Sequence, residues 1–200
     1  MVFDVVGTLV EPQPAVAQAY LQAARRHGVE RDVDEIRQRF GAAWRRQEEL
    51  DAAADPPFAT SGRREHDRWR MIVEDVFSGV PQTAAIFADL WEHFGRIEAW
   101  RATPAGRPLV RAALDAGATV VLASNFDERL FAIAPQIEPL CWAHHVFASS
   151  EIGWRKPAAG FFRAIERRLG RGPGEFLIIG DDPLLDVAAA LSAGWRAIRV

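Results

Sequence analysis

The sequence predicts an α/β fold: a Rossmann-like, doubly wound parallel sheet interrupted by an inserted helical cap. Three observations predict it. The runs Met1–Phe3, Ala118–Ala123 (ATVVLA) and Phe176–Ile179 (FLII) are almost wholly apolar, as strands buried on both faces must be. Each run ends at a polar group: Asp4, Ser124-Asn125 and Gly180-Asp181-Asp182. From about residue 100 onward strand and helix patterns alternate, whereas residues 14–100 carry helical periodicity alone.

In chain order, the first strand runs into the turn Gly7-Thr8, where the apolar pattern breaks. The stretches AVAQAYLQAARRHG, VDEIRQRFGAAWRRQEEL and HDRWRMIVEDVF follow as amphipathic helices. Gly28 is placed to end the first and Asp34 to cap the second, and Asp55-Pro56-Pro57 marks a loop. Trp44, Trp69, Trp91 and Trp100 are expected to pack this insertion. Further helices are expected over Pro104–Ala116, Phe126–Ile137, Ala158–Leu169 and Leu184–Ala193, with weaker strands at residues 144–149 (HHVFAS) and in the terminal RAIRV. Residues 1–13 and 101–200 therefore form the core domain, and residues 14–100 the helical cap.

Composition narrows the function classes. Two hundred residues suffice for one sizeable core with a smaller insert, and 49% hydrophobic with 26% charged residues is ordinary for a globular chain. A net charge of −3 offers no basic face for nucleic acid. No apolar run approaches the roughly 18 residues of a membrane span. The single Cys141 has no partner for an internal disulfide, so a reducing, cytoplasmic compartment is expected. Nothing in the sequence sets an oligomeric state. Of 24 basic residues Lys156 is the only lysine, which suggests a site needing a compact ammonium that guanidinium cannot replace.

In an open parallel sheet ligands bind beyond the carboxyl ends of the strands, where the polar groups fall. Asp4, Ser124, Lys156, Asp181 and Asp186 would meet there: a nucleophilic carboxylate, a hydroxyl, an ammonium, and acids able to hold a divalent ion. Mg²⁺ favours such hard oxygen ligands. Phosphoryl transfer to a carboxylate needs this set.

The segments FDVVGTLV, VVLASN, WRKPAAGFF and LIIGDDPLLDVAAALSAGWRAI resemble, in order, the four motifs of haloacid dehalogenase-like (HAD) hydrolases. The helical insert lies at the position of their C1 cap. SNFDERL followed by EIGWRKP is similar to the subgroup related to the human haloacid dehalogenase-like hydrolase domain-containing proteins. The resemblance implies that Asp4 is a nucleophile forming an aspartyl-phosphate, and that Mg²⁺ is held by Asp4, Asp181, Asp186 and the backbone carbonyl of Val6. It implies that Ser124, Asn125 and the Gly7-Thr8 turn bind phosphate, and that Lys156 pairs with nucleophile and phosphate. Asp182 receives no role.

Val6 departs from the pattern. Phosphatases of the family carry a second Asp there as general acid and base, and losing such a group typically costs ~10²–10⁴ in rate. Phosphonatase-type relatives need a cap lysine, which this cap lacks. Dehalogenases of the family need no metal and carry a tyrosine in place of Val6, whereas the only tyrosine here is Tyr20, outside the motif. The reading that follows is a Mg²⁺-dependent phosphatase of a small phosphorylated metabolite, slow or restricted to good leaving groups. The alternatives are a catalytically impaired binding or regulatory protein and, third, a 2-haloacid dehalogenase. His27, His66 and Glu11 are the candidate replacement proton donors. Arg25, Arg63, Arg64 and Arg68 would either grip an anion or coat solvated helix faces.

Overall fold

The computed structural model describes all 200 residues. Strand β1 (Val2–Phe3) leads through a turn to β2 (Val10–Pro12). Four helices follow: α1 (Val16–Arg26), α2 (Val33–Ala52), α3 (Gly62–Val76) and α4 (Thr83–His93). The chain returns through β3 (Trp100–Ala102) to α5 (Gly106–Asp115), β4 (Val121–Ser124), α6 (Arg129–Ile133), β5 (His145–Ala148), α7 (Ser149–Ile152) and α8 (Ala159–Leu169). Strand β6 (Leu177–Gly180), a π-helical turn over Pro183–Ala188 continued by α9 (Ala189–Ser192), and β7 (Arg196–Arg199) complete it.

Five strands form one parallel sheet in the order β5-β4-β1-β6-β7. The strand order reverses around β1, so the crevice of this α/β sheet opens at the carboxyl ends of β4, β1 and β6. Both faces are covered, which explains the unbroken apolar runs. Val2, Val121 and Ile178 pack on one side with Phe161, Phe162 and Trp195; Phe3, Leu122 and Ile179 pack on the other with Val110 and Leu130.

Helices α1 to α4 have a core of their own, built around Tyr20, Ile36, Ile72, Phe77 and Ile86. The chain passes between this helical layer and the sheet twice, and the two passages pair as an antiparallel ribbon, with Glu11 opposite Arg101 and Pro12 opposite Trp100. No helix is long and apolar enough to cross a membrane.

Several local expectations are corrected. The second helix is capped by Asp32, whose carboxylate accepts from the amides of Asp34 and Glu35 at 2.8 and 3.2 Å. The second core strand begins only at Val121, because the chain at Ala118 still hydrogen-bonds back to the Ala113 carbonyl, around Gly117 at φ +70°. The helix expected over Phe126–Ile137 is confined to Arg129–Ile133 and passes into a 3₁₀ turn containing Pro135, which lacks the N–H needed to continue it. The last helix begins as a π-helical turn, a feature that tends to accompany functional sites.

Candidate active site

Asp4 follows β1 directly, and its amide still donates to the Ile179 carbonyl at 3.0 Å, so backbone pairing fixes where its carboxylate leaves the sheet. Lys156 reaches it from the loop before α8. Its Nζ donates to Asp4 Oδ1 at 2.7 Å and to Asp186 Oδ1 at 2.5 Å, and all three side chains are buried. Asp186 is steadied in turn by the Asp182 amide, which donates to its Oδ2 at 3.1 Å. Gly180 has no side chain where one would overlap the Asp186 carboxyl at 2.3 Å.

Asp181 completes the group. The Thr8 hydroxyl donates to its Oδ1 at 2.8 Å and accepts from its amide at 3.1 Å. The hydroxyl of Thr8, a residue the family resemblance places on phosphate, is thus bonded to Asp181. Gly7 adopts φ +95°, and a β-carbon there would lie 2.6 Å from Asp181 Oδ2, so both conformation and space call for glycine.

One ammonium between two buried carboxylates leaves one negative charge in excess. Burial pushes the Asp4 carboxyl up, to about 6, against the attraction of Lys156, with Asp186 and Asp181 adding to the rise. Burial alone would lower the Lys156 ammonium, but Asp4 and Asp186 together hold it above its ordinary value. A carboxylate oxygen from each of Asp4, Asp181 and Asp186 lies within 4.8 Å of the others. These all-oxygen donors, with uncompensated negative charge, suit a hard divalent cation. The Val6 carbonyl, expected as a further ligand, accepts no backbone hydrogen bond.

Ser124 is buried at the end of β4. Asn125 serves the lysine loop, its side chain accepting from the Lys156 amide at 2.7 Å and donating to the Lys156 carbonyl at 3.0 Å. The structure thus gathers Asp4, Lys156, Asp181 and Asp186, with Thr8 and Asn125 bonded to that group and Ser124 at the end of the adjoining strand.

Three contributions were missed. Asp182 accepts from the amides of Leu184 and Leu185 at 2.7 and 2.8 Å, capping the turn that carries Asp186; an Asp before Pro at a helix start was the available signal. Arg155 is buried beside the lysine and bonds both oxygens of Glu65 in α3, at 2.8 and 2.9 Å, with Glu48 of α2 at 3.3 Å. Asp127 and Arg129 form a pair at 2.6 Å, and Arg129 also donates to the Trp91 carbonyl at 2.7 Å, tying α4 to the sheet domain.

A cavity of about 450 Å³ lies between the helical layer and the sheet, with Val6 and Asn125 in its wall. Trp44, Trp69, Trp91 and Trp100, expected as packing residues, line it and also pack against neighbouring rings. None of the candidate proton donors reaches it. His27 pairs with Asp89, Glu11 with Arg101 across the ribbon, and His66 lies edge-on to Phe87 and Trp91. Of the four arginines, Arg25 and Arg63 are exposed beside Glu30 and Asp67, but Arg64 and Arg68 are drawn into a network around Asp51 rather than onto solvated faces.

Comparison with known proteins agrees with this architecture. The chain is 26% identical to human haloacid dehalogenase-like hydrolase domain-containing protein 3, over 100% of this chain and 80% of the relative. Its fold is similar to that of the HAD-hydrolase YfnB from Bacillus subtilis bound to magnesium (TM-score 0.71, 18% identity, 100% of this chain and 86% of that one). It is also similar to that of the defluorinating L-2-haloacid dehalogenase Rha0230 (TM-score 0.76, 22% identity, 98% and 78%). Residues 1–194 match the haloacid dehalogenase-like hydrolase family end to end, through both the sheet that carries the acidic cluster and the helices above it, and the chain belongs to that family.

Proposed function

We propose that the protein is a Mg²⁺-dependent phosphatase acting on a small phosphate monoester through a phosphorylated Asp4. The observation that carries this reading is the buried cluster in which Lys156 serves Asp4 and Asp186 beside Asp181, with negative charge left over. Asp4 attacks phosphorus as the bond to the ester oxygen breaks, and that bond's electron pair leaves on the alcohol oxygen. Water then attacks the same phosphorus, Asp4 returns as carboxylate, and the protons of the water leave on the phosphate. Lys156 and Ser124, with the backbone near Gly7 and Asn125, hold phosphoryl oxygens. A divalent ion held by Asp4, Asp181, Asp186 and the Val6 carbonyl would screen the phosphoryl charge.

Val6 neither protonates the departing alcohol nor takes a proton from water, which favours esters whose alcohol leaves readily as an anion. The test is turnover of p-nitrophenyl phosphate with and without Mg²⁺ by the natural chain and by Asp4→Asn. Turnover that requires both the metal and Asp4 is expected. Turnover indifferent to both overturns the proposal, as does metal-independent halide release from a 2-haloacid in its place.

A further inference from the structure

The cavity beside Val6 has a chemistry of its own. Thirteen of its 19 lining residues are hydrophobic, and the ring-bearing side chains come from both sides: Tyr20, Trp44 and Trp69 from the helices, Trp100 from the ribbon between the layers, and Phe126 from the sheet domain. Three of its polar side chains are committed elsewhere, which leaves the Tyr20 hydroxyl and Arg45. Asp127 and Arg129 bond each other, Arg129 also bonds the Trp91 carbonyl, the Asn125 amide holds the Lys156 backbone, and Arg45 is exposed to solvent. A sugar or polyol entering this space would give up water for few replacement hydrogen bonds, an unfavourable exchange. An aromatic ring gains burial and edge or face contacts there. The volume, about 450 Å³, suits a one- or two-ring group.

A second observation points the same way. Val6 lies in the cavity wall two residues from Asp4, so the side chain at that place can give the departing oxygen no proton. A leaving group expelled here departs as an anion, which favours the acidic hydroxyl of a phenol or enol over that of an alkyl alcohol.

We propose that this cavity is the leaving-group pocket and that it takes phosphate monoesters of phenols or similarly apolar, acidic alcohols, an inference that rests on the phosphatase reading. As Asp4 bonds to phosphorus the aryl oxygen–phosphorus bond breaks, its electron pair leaves with the phenolate, and the phenolate takes its proton from solvent after release.

The test uses the full chain with Mg²⁺ and three comparisons. Acetyl phosphate has a small leaving group that is far more acidic than naphthol, so the comparison is made in KM, which for 1-naphthyl phosphate should be lower by roughly tenfold or more. Phenyl phosphate should outrun benzyl phosphate, whose ring is the same but whose alcohol is a poor leaving group. Gly41→Leu should remove most of this KM difference: Gly41 is in the lining, and a β-carbon there meets only Arg45 Nη1, at an ordinary 3.5 Å.

A KM for naphthyl phosphate no lower than that for acetyl phosphate overturns the pocket, and benzyl phosphate hydrolysed as fast as phenyl phosphate overturns the acidic-alcohol requirement. Should no ester be hydrolysed, the phosphatase reading fails, and a 1-naphthol titration read by tryptophan fluorescence then decides the pocket alone. Saturable quenching, weakened in Gly41→Leu, supports an aryl site; no quenching overturns it.

Discussion

Asp4 and Val6 stand two residues apart and divide the chemistry between them. Asp4 is a buried carboxylate sharing one ammonium with Asp186, and its pKa of about 6 lies above the 3.8 of an exposed aspartate. In the metal-free protein its neutral form is therefore favoured by folding. The associated stability is present below about pH 4 and is lost as pH rises through 6. Asp4→Asn should thus gain stability over the natural chain across that window, by on the order of 2–3 kcal/mol above it. Urea unfolding in EDTA at several pH values measures the difference; a constant difference from pH 4 to 7 would contradict it. Val6 carries the opposite expectation, for activity. If proton transfer limits the rate, Val6→Asp should accelerate alkyl phosphates by up to ~10²–10⁴ and aryl phosphates much less. Equal acceleration of both classes would show that the gain is not proton transfer. The residues of this cluster were legible in the sequence because each ends a strand or opens a helix. Asp182 was missed although an Asp before Pro marks a helix start, because its role is to cap the amides of Leu184 and Leu185 and not to touch a ligand.

At the level of elements, the loop bearing Lys156 is gripped by the helical layer. Thr60 donates its amide to the Gly153 carbonyl at 3.0 Å, and Arg155 donates its own to Phe58 at 3.0 Å. Below this bridge the Arg155 guanidinium is buried against Glu65, Glu48 and Asp51. Removing one partner from such a cluster leaves a bare charge in a dry place, so Glu65→Gln should cost about 3–5 kcal/mol. Arg155→Met in the same chain should restore part of that loss. A double-mutant cycle read from urea midpoints at unchanged m values checks this, and purely additive losses would contradict it. The sequence could not have revealed the network, since Glu65 and Arg155 are 90 residues apart and each looks like a surface charge. The central strands β1, β4 and β6 were legible because burial on both faces leaves no polar alternation to misread, whereas the edge strands β5 and β7 are more exposed and gave weaker runs. The helix after β4 was overextended because its apolar spacing continues past Pro135, where the backbone cannot follow.

For the whole molecule, the sheet carries the acidic cluster and Lys156, and the helical layer supplies most of the wall of the cavity beside them. Two connections bind the layers beside the cavity: the Arg155 cluster, and Arg129 stacked 3.6 Å from the Trp91 ring while donating to its carbonyl. The cavity itself was hidden from sequence, because tryptophans at helical spacing look the same whether they close a core or enclose a void. Everything proposed for the site depends on Asp4 accepting a phosphoryl group. Rapid acid quench during turnover of p-nitrophenyl phosphate with Mg²⁺, followed by peptide mass analysis, tests it directly. A hydroxylamine-sensitive phosphoryl group on the peptide containing Asp4, absent without Mg²⁺ and in Asp4→Asn, is the predicted result. Continued release of phosphate by Asp4→Asn at the natural rate, with no modified peptide, would contradict it.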